Sequence, residues 1–264
     1  MNFERFAELH GLIIRDLVLD KWTRVPTVDH PHKKNGSYIF NGNVGAVQNW
    51  AIHESPVTWK SDKEYKPDPL FKLKKKKAQE EQLQKQESAK KKAGWIMHQT
   101  KKMAHPYLAK KGFPEEKGYV WNDLLVIPMR INGNVVGCQT ISADGTKKFL
   151  TGQVTKGASA VFENKGYDII CEGYATALSV RRVMKYLKKR YTIHVAFSAG
   201  NISILSKNIG NCYVIADHDP IGLKTAKATG RPYWISDTEG EDFNDYEMRV
   251  GTEQASLTLS KLFD

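Results

Sequence analysis

The sequence predicts an α/β protein, α+β overall, in which a C-terminal domain with a helix-flanked parallel sheet follows smaller parts. After residue 167, short apolar strands alternate with helices, a pattern typical of a parallel sheet covered on both faces. Before that point, Asn41-Gly42, Asn132-Gly133 and Asp144-Gly145 separate strand-like segments, which predicts antiparallel hairpins. A lysine-rich segment divides the hairpins into two groups.

These patterns predict four parts along the chain. Residues 1–60 carry one helix and short strands, which indicates a small β-rich module, and residues 61–93, rich in Lys, Gln and Glu, predict an exposed linker helix. Residues 94–163 predict a mixed α+β subdomain with a β-meander and a basic loop. Residues 164–264 hold four apolar strands alternating with helices, one of which we expect to open at Asn201.

Composition narrows the class of partner. The chain has 264 residues, of which 41% are hydrophobic, and 40 Lys plus Arg against 29 Asp plus Glu give a net charge of +11. Such a surplus favours a polyanion, which is bound through phosphate contacts. The three cysteines lie in apolar segments without a C-x-x-C pair, which indicates reduced thiols and a cytoplasmic protein. No segment approaches the roughly 18 apolar residues of a membrane span, so we expect no membrane partner.

Acidic residues follow the predicted parallel strands. Glu172 follows the first strand, Asp217-His218-Asp219 the third, and an acidic segment with Asp237, Asp242 and Asp245 the fourth. Ligands of such sheets bind at the carboxyl ends of the strands. Carboxylates crowded there repel one another, and a divalent cation such as Mg²⁺ removes the conflict. Asp217 and Asp219, two apart in a predicted extended segment, should project to the same side. The alternative for any single acid is a helix N-cap or a solvated strand end.

The segments "CEGYATALSV", "YVIADHDP" and "DFND" resemble the Toprim domain, the catalytic core of bacterial and phage primases and of topoisomerases. Together with "FSAGN", they are most similar to the primases that phages and plasmids encode. The segments "RVPTVDHPHKKNGSYIFNGNVGAVQNW" and "HPYLAKKGF" resemble the parts that precede Toprim in those primases. The resemblance therefore covers most of the chain.

The resemblance implies a DNA primase, which makes short RNA primers on single-stranded DNA from nucleoside triphosphates with Mg²⁺ or Mn²⁺. It implies that Glu172 is a general base or positions a metal, that Asp217 and Asp219 bind the metals, and that Asp242 contributes to the metal site. Because the sequence contains no Walker A motif, we expect the replicative helicase to be a separate protein.

Basic residues before the Toprim-like segment are candidates for binding nucleoside triphosphate or template. The set consists of Lys147, Lys148, Lys156 and Arg130, to which we add Asn201. Arg24 is a weaker candidate, and Trp50 and Trp59 are candidates for stacking on single-stranded bases. The alternatives are surface lysines of a polar hairpin and, for at least one tryptophan, packing in the core.

The sequence departs from the family in two places. No cysteine precedes Cys138, and His30, His32 and His53 alone make a poor zinc site, so we expect no structural zinc. Thr176 stands where bacterial replicative primases carry an aspartate, so that metal ligand is either absent or supplied elsewhere, with Asp245 as the candidate.

Two other functions use the same residues. A Toprim nuclease would cleave a phosphodiester with these acids, although the primase-like segment 105–157 argues against it. A non-catalytic nucleic-acid binder or replication-interference protein would keep the fold alone, and the intact acids argue against that.

Overall fold

The computed structural model describes residues 1–61 and 69–263, which form a mixed α+β structure. The chain divides into two compact units, Met1–Lys76 and Lys77–Asp264. Among the described residues, no helix has both the length and the apolar content needed to cross a lipid bilayer.

The first unit packs one short helix on an antiparallel sheet. Its elements are α1 (Phe3–Leu9), β1 (Thr23–Val25), β2 (Gly36–Phe40), β3 (Val44–Asn49) and β4 (Val57–Lys60). The strands pair in chain order. Phe3 and Tyr38 are central to the core, and Trp59 packs edge-on against Phe3 with ring centroids 5.7 Å apart. Trp50 instead is 41% exposed, and the guanidinium of Arg24 lies 4.1 Å from its ring centroid.

Two histidines of the first unit form a hydrogen-bonded pair. His53 accepts the backbone N–H of Asn49 at Nδ1, at 3.0 Å, so its proton is on Nε2. That Nε2 lies 3.0 Å from Nδ1 of His10 and donates to it. Burial, and then the neighbouring His53, lower the pKa of His10. Of the other imidazoles named above, His30 lies 2.8 Å from the Asp29 carboxylate.

We expect acid to loosen this histidine pair. The pKa of His10 is lowered on folding, so this residue binds protons more readily in the unfolded chain, and its contribution to the stability of the first unit falls as the pH drops through about 6.5, the usual value for histidine. Protection factors of the segments around His10 and Asn49, obtained from hydrogen exchange by mass spectrometry and corrected for the intrinsic pH dependence of amide exchange, should be lower at pH 5.5 than at pH 7.5. His10→Gln, which accepts the same bond without titrating, should reduce that difference. Equal responses in the two proteins would contradict the account.

The lysine-rich segment forms a long helix, α2 (Pro69–Gln99), and residues 62–68 of the predicted linker lie outside the described residues. The predicted exposed linker ended at residue 93, but the helix continues to Gln99 without a break. Its last turns are packed: Ala89, Ala93 and Ile96 are buried, and Ala93 and Ile96 form a cluster with Val126 of the following sheet. These three small or apolar residues recur at helical spacing, but most of the surrounding residues are polar. The sequence pattern therefore did not indicate a buried face on this helix.

An antiparallel sheet follows the helix. Its elements are β5 (Lys101–Met103), α3 (Pro106–Lys110), β6 (Gly118–Trp121), β7 (Leu124–Ile131), β8 (Asn134–Ile141) and β9 (Lys147–Phe149), and the strands pair in chain order. The predicted Asn-Gly turn joins β7 to β8, with Asn132 and Gly133 both at positive φ. This sheet therefore matches the predicted meander.

A second sheet of this unit positions the acidic residues. Its strands are β10 (Ala160–Glu163), β11 (Tyr167–Cys171), β12 (Tyr191–Val195), β13 (Tyr213–Ile215) and β14 (Tyr233–Trp234). They lie in the order β10-β12-β11-β13-β14, in which β10 is antiparallel to β12 and the other pairs are parallel. The predicted parallel arrangement is thus present in β11–β14.

Helices cover both faces of this sheet, as predicted. The side chains of α4 (Tyr174–Tyr186), α7 (Phe243–Val250) and α8 (Thr252–Ser260) pack with Ile169 and Cys171. Those of α5 (Ala199–Ile209) and α6 (Pro220–Thr229) pack with Ile170, whose side chain points to the opposite face. Leu125 and Ile127 of β7 share the first of these cores, so the parts predicted as 94–163 and 164–264 are joined by one apolar interior.

Candidate active site

Glu172 stands directly after β11, at the carboxyl end of the central strand of the parallel sheet. Its backbone carbonyl accepts the N–H of Phe197, at 2.9 Å, which joins the ends of β11 and β12. Burial and the nearby Asp219 raise the pKa of Glu172, and Lys147 opposes that rise. The strand end therefore holds a half-buried carboxyl group with raised proton affinity.

Asp217 follows the neighbouring strand, β13, and three other carboxylates influence its pKa. Its pKa is raised to about 7, above all by burial and then by repulsion from Asp242, Glu172 and Asp219. Its Oδ1 is buried and has no hydrogen-bond partner among the described residues. A buried acceptor without a donor is costly, and a cation is one group that would satisfy it.

Asp219 and Asp242 are both helix N-caps, the alternative role for acids at strand ends. Asp219 accepts the N–H of Gly222 at 2.6 Å and starts α6, while Asp242 accepts the N–H groups of Asn244 and Asp245 and starts α7. The predicted extended segment at 217–219 is wrong, because the chain turns here: the N–H of Asp219 donates to the carbonyl of Asp217 at 2.9 Å. The other oxygen of each capping carboxylate is not needed by its cap.

Gly222 allows this turn to form. A Cβ at this position would lie 2.2 Å from the carbonyl oxygen of Asp217, which is closer than any real contact of that kind. The first turn of α6 thus packs tightly against the backbone of the site, and only glycine fits there.

Asp245 and Asp237, also predicted in the acidic group, are paired with basic residues. Asp245 lies 3.1 Å from Nζ of Lys111. Asp237 lies 2.6 Å from the Arg249 guanidinium, its side chain is 71% exposed, and hydrogen bonds from Arg249 lower its pKa. The acids whose charges influence one another are therefore Glu172, Asp217, Asp219 and Asp242.

This donor set fits a hard divalent cation. Within residues 1–61 and 69–263, no three His, Cys, Asp or Glu side chains are close enough to enclose a metal ion. Mg²⁺ usually takes only one or two protein carboxylates and completes its shell with water and substrate phosphates. The unpartnered Oδ1 of Asp217, among acids that repel one another, is consistent with that kind of site.

Of the predicted lysines, Lys147 is the one that interacts with these acids. It begins β9, and its charge lowers the pKa of Glu172 and of Asp217. Lys148, the next residue of the strand, points to the opposite face because side chains alternate along a strand. The sequence could not distinguish the two lysines without the register of β9, in which Lys147 pairs with Ile141.

Asn201 has a positioning role in the structure. Its side chain accepts the N–H of Gly157 at 2.7 Å and donates to the carbonyls of Ala158 and Ala196 at 2.7 and 2.8 Å. The residue is buried and lies within α5, which begins at the N-cap Ser198 rather than at Asn201 as predicted. It thereby fixes the loop that presents Lys156, which is exposed.

Asn201→Ala should destabilise the protein by roughly 2–4 kcal/mol, because it leaves two carbonyls and one N–H without their partner. The loop should also become more open to trypsin, which cleaves after Lys156. Asn208→Ala, at an exposed position of the same helix, is the matched control and should change neither property. Thermal unfolding and limited proteolysis check both effects, and parallel behaviour of the two variants would refute this role.

Arg130 lies near the end of β7, and Thr176 lies in α4. The Arg130 guanidinium donates to the carbonyl of Gly133 in its own hairpin turn, at 2.8 Å, and is exposed. Thr176 is buried in α4, one turn after Glu172, and its hydroxyl has no partner among the described residues.

No protein-family model matches this chain. Among solved structures, it is similar to the primase fragment of the bacteriophage T7 primase-helicase protein, with a TM-score of 0.40, 17% identity, and coverage of 60% of this chain and 68% of that one. It is also similar to a DNA primase domain from Pseudomonas aeruginosa, with a TM-score of 0.36, 13% identity, and coverage of 56% and 53%. Both scores are too low to establish a shared fold.

Proposed function

We propose that this chain is a Toprim-type DNA primase, which synthesises short RNA primers on single-stranded DNA from nucleoside triphosphates. The observation that supports this most is the group of mutually repelling carboxylates at the ends of parallel strands, with Lys147 beside it. Carboxylates can bind the metal ion that accompanies a triphosphate, and the ammonium group of Lys147 can pair with the phosphate oxygens. The sequence segments that resemble phage and plasmid primases favour primer synthesis over phosphodiester cleavage as the reaction.

In the proposed reaction, a 3′-hydroxyl attacks the α-phosphorus of a nucleoside triphosphate and pyrophosphate leaves. Glu172 has a raised pKa and a place at the strand end, so its carboxylate would accept the hydroxyl proton. Lys147 would pair with phosphate oxygens and stabilise the negative charge that develops on them. The N-terminal turns of α6 and α7, held by Asp219 and Asp242, would keep the acids in a fixed arrangement.

Asp217 would hold Mg²⁺ or Mn²⁺, Glu172, Asp219 and Asp242 would act on the ion through its water shell and their charge, and when bound the ion would neutralise charge on the triphosphate. The predicted ligand Asp245 is proposed only as a secondary contributor, since it is paired with Lys111. Lys148, Lys156 and Arg130 are exposed and are proposed to contact template or primer backbone through charge alone.

The proposed partners are single-stranded DNA, nucleoside triphosphates and a separate replicative helicase. The net charge of +11 supports the nucleic-acid partner. In the first unit, the exposed Trp50 and the Arg24 above it are proposed to contact template bases. A phage- or plasmid-encoded protein acting in the bacterial cytoplasm is the setting that the sequence resemblance suggests.

The proposal is tested by incubating the protein with mixed-sequence single-stranded DNA, labelled nucleoside triphosphates and either Mg²⁺ or Mn²⁺. Short labelled RNAs that disappear with a chelator are the expected result. Shortened DNA without new RNA would instead identify a nuclease. A third outcome is that neither product forms, even with a replicative helicase added, while DNA binding remains and weakens with salt. That result would favour a non-catalytic nucleic-acid-binding protein over a primase.

A further inference from the structure

Two aromatic residues, Phe149 and Phe197, have no part in the proposed phosphoryl chemistry. Phe149 is 43% exposed, and no other phenylalanine side chain that the structure describes is as exposed. Its ring meets that of Phe197 nearly edge-on, with centroids 6.2 Å apart and an angle of 80° between the planes. One ring thus supports the other from the side and leaves an aromatic surface open to solvent.

Phe197 adopts a conformation that phenylalanine rarely takes. Its φ is 66°, in the left-handed region that favours glycine. It is held there between buried Ala196, whose N–H donates to Cys171, and its own N–H bond to the carbonyl of Glu172. Strained backbone of this kind clusters at functional sites, and here it lies at a residue whose backbone is hydrogen-bonded to Glu172.

The aromatic surface is continuous with the charged part of the site. Lys147 lies two residues before Phe149 on β9, so both side chains are on the same face of the strand. The charge of Lys147 reaches Glu172 and Asp217, whose pKa values it lowers. An aromatic ring, a cation and a group of carboxylates therefore follow one another along the site. In the same order, they could contact the base, the phosphates and the bound metal of one nucleotide.

We propose that the exposed face of Phe149, supported by Phe197, stacks on the base of the nucleoside triphosphate that the acids and Lys147 hold. This inference rests on the proposed function and adds a subsite for the base. A phenyl ring stacks on any of the four bases, which suits an enzyme that must accept four triphosphates. Alanine substitution of such a stacking residue lowers affinity by about 5- to 100-fold.

The test compares binding of ATP with that of ribose 5-triphosphate, which lacks the base, by calorimetry in the presence of Mg²⁺. The wild-type protein should bind ATP at least about fivefold more tightly. Phe149→Ala should lose this difference and keep its affinity for ribose triphosphate, whereas Phe149→Trp should retain it. Tyr119→Ala removes an aromatic residue of 38% exposure from the same sheet and is the matched control.

The outcomes separate this inference from the function on which it rests. Equal binding of ATP and ribose triphosphate by the wild type would overturn the base subsite and leave the primase proposal intact. An unchanged preference in Phe149→Ala would overturn it as well. Binding of neither ligand would contradict the subsite and the proposed function together.

Discussion

Glu172→Gln should lower primer synthesis by about 100- to 10,000-fold, the usual contribution of a general base. Glutamine has nearly the same size as glutamate but cannot accept the proton of the attacking hydroxyl. The backbone bond from Phe197 to the carbonyl of residue 172 does not involve the side chain, so the ends of β11 and β12 stay joined. Stability should be equal or slightly higher, because one of the repelling carboxylates is removed.

The matched control is Glu163→Gln, the same change at an exposed position of β10 in the same sheet. Initial rates of RNA synthesis and thermal unfolding should be measured for both variants. Loss of activity only in Glu172→Gln, with both proteins folded, supports the assigned role. Retention of more than about a tenth of wild-type activity by Glu172→Gln would rule out proton transfer at this carboxylate.

Asp217→Asn should have two opposite effects. Activity should fall by about 100-fold or more, since a bound metal contributes several kcal/mol to such reactions. Without metal, however, the variant should be more stable than the wild type at pH 8. Asn carries no charge, so the cost of ionising a buried group among Asp242, Glu172 and Asp219 disappears.

The sign of this stability change follows from the pKa of Asp217, which is raised to about 7. A raised carboxyl pKa means that the folded chain binds more protons than the unfolded chain between about pH 4 and pH 7. Metal-free wild type should therefore lose stability as the pH rises through this range, by an amount on the order of 2–4 kcal/mol. Asp217→Asn should lose less.

Thermal unfolding in a chelator at pH 5 and pH 8 tests this, with Asp237→Asn as the control from the same acidic segment. Asp237 is exposed and paired with Arg249, so its loss should leave the pH response unchanged. Addition of Mg²⁺ at pH 8 should raise the midpoint of wild type more than that of Asp217→Asn. A variant as pH-sensitive as the wild type would contradict the burial of this charge.

The parts of the site that the sequence predicted are those that follow from strand order. Glu172 comes directly after an apolar strand and Asp217 two residues after another, and parallel strands bring their carboxyl ends to one edge, so short segments of sequence suffice. The parallel sheet was predictable for the same reason, because its strands are apolar on both faces.

The roles that were not predicted depend on contacts between distant residues. Asp245 is paired with Lys111, 134 positions away, and Asn201 holds Gly157, 44 positions away. Neither partner can be identified from local pattern. Lys147 and Lys148 are adjacent and chemically identical, and only the register of β9 decides which faces the acids.

Sequencing the RNA made on a defined single-stranded template would show whether synthesis is template-directed and depends on Glu172. The template should contain each base in known order, and the reaction should be run with the wild type and with Glu172→Gln. We expect short RNAs complementary to the template, made by the wild type and absent with the variant. RNA unrelated to the template, or equal synthesis by the two proteins, would contradict a template-directed primase whose chemistry depends on Glu172.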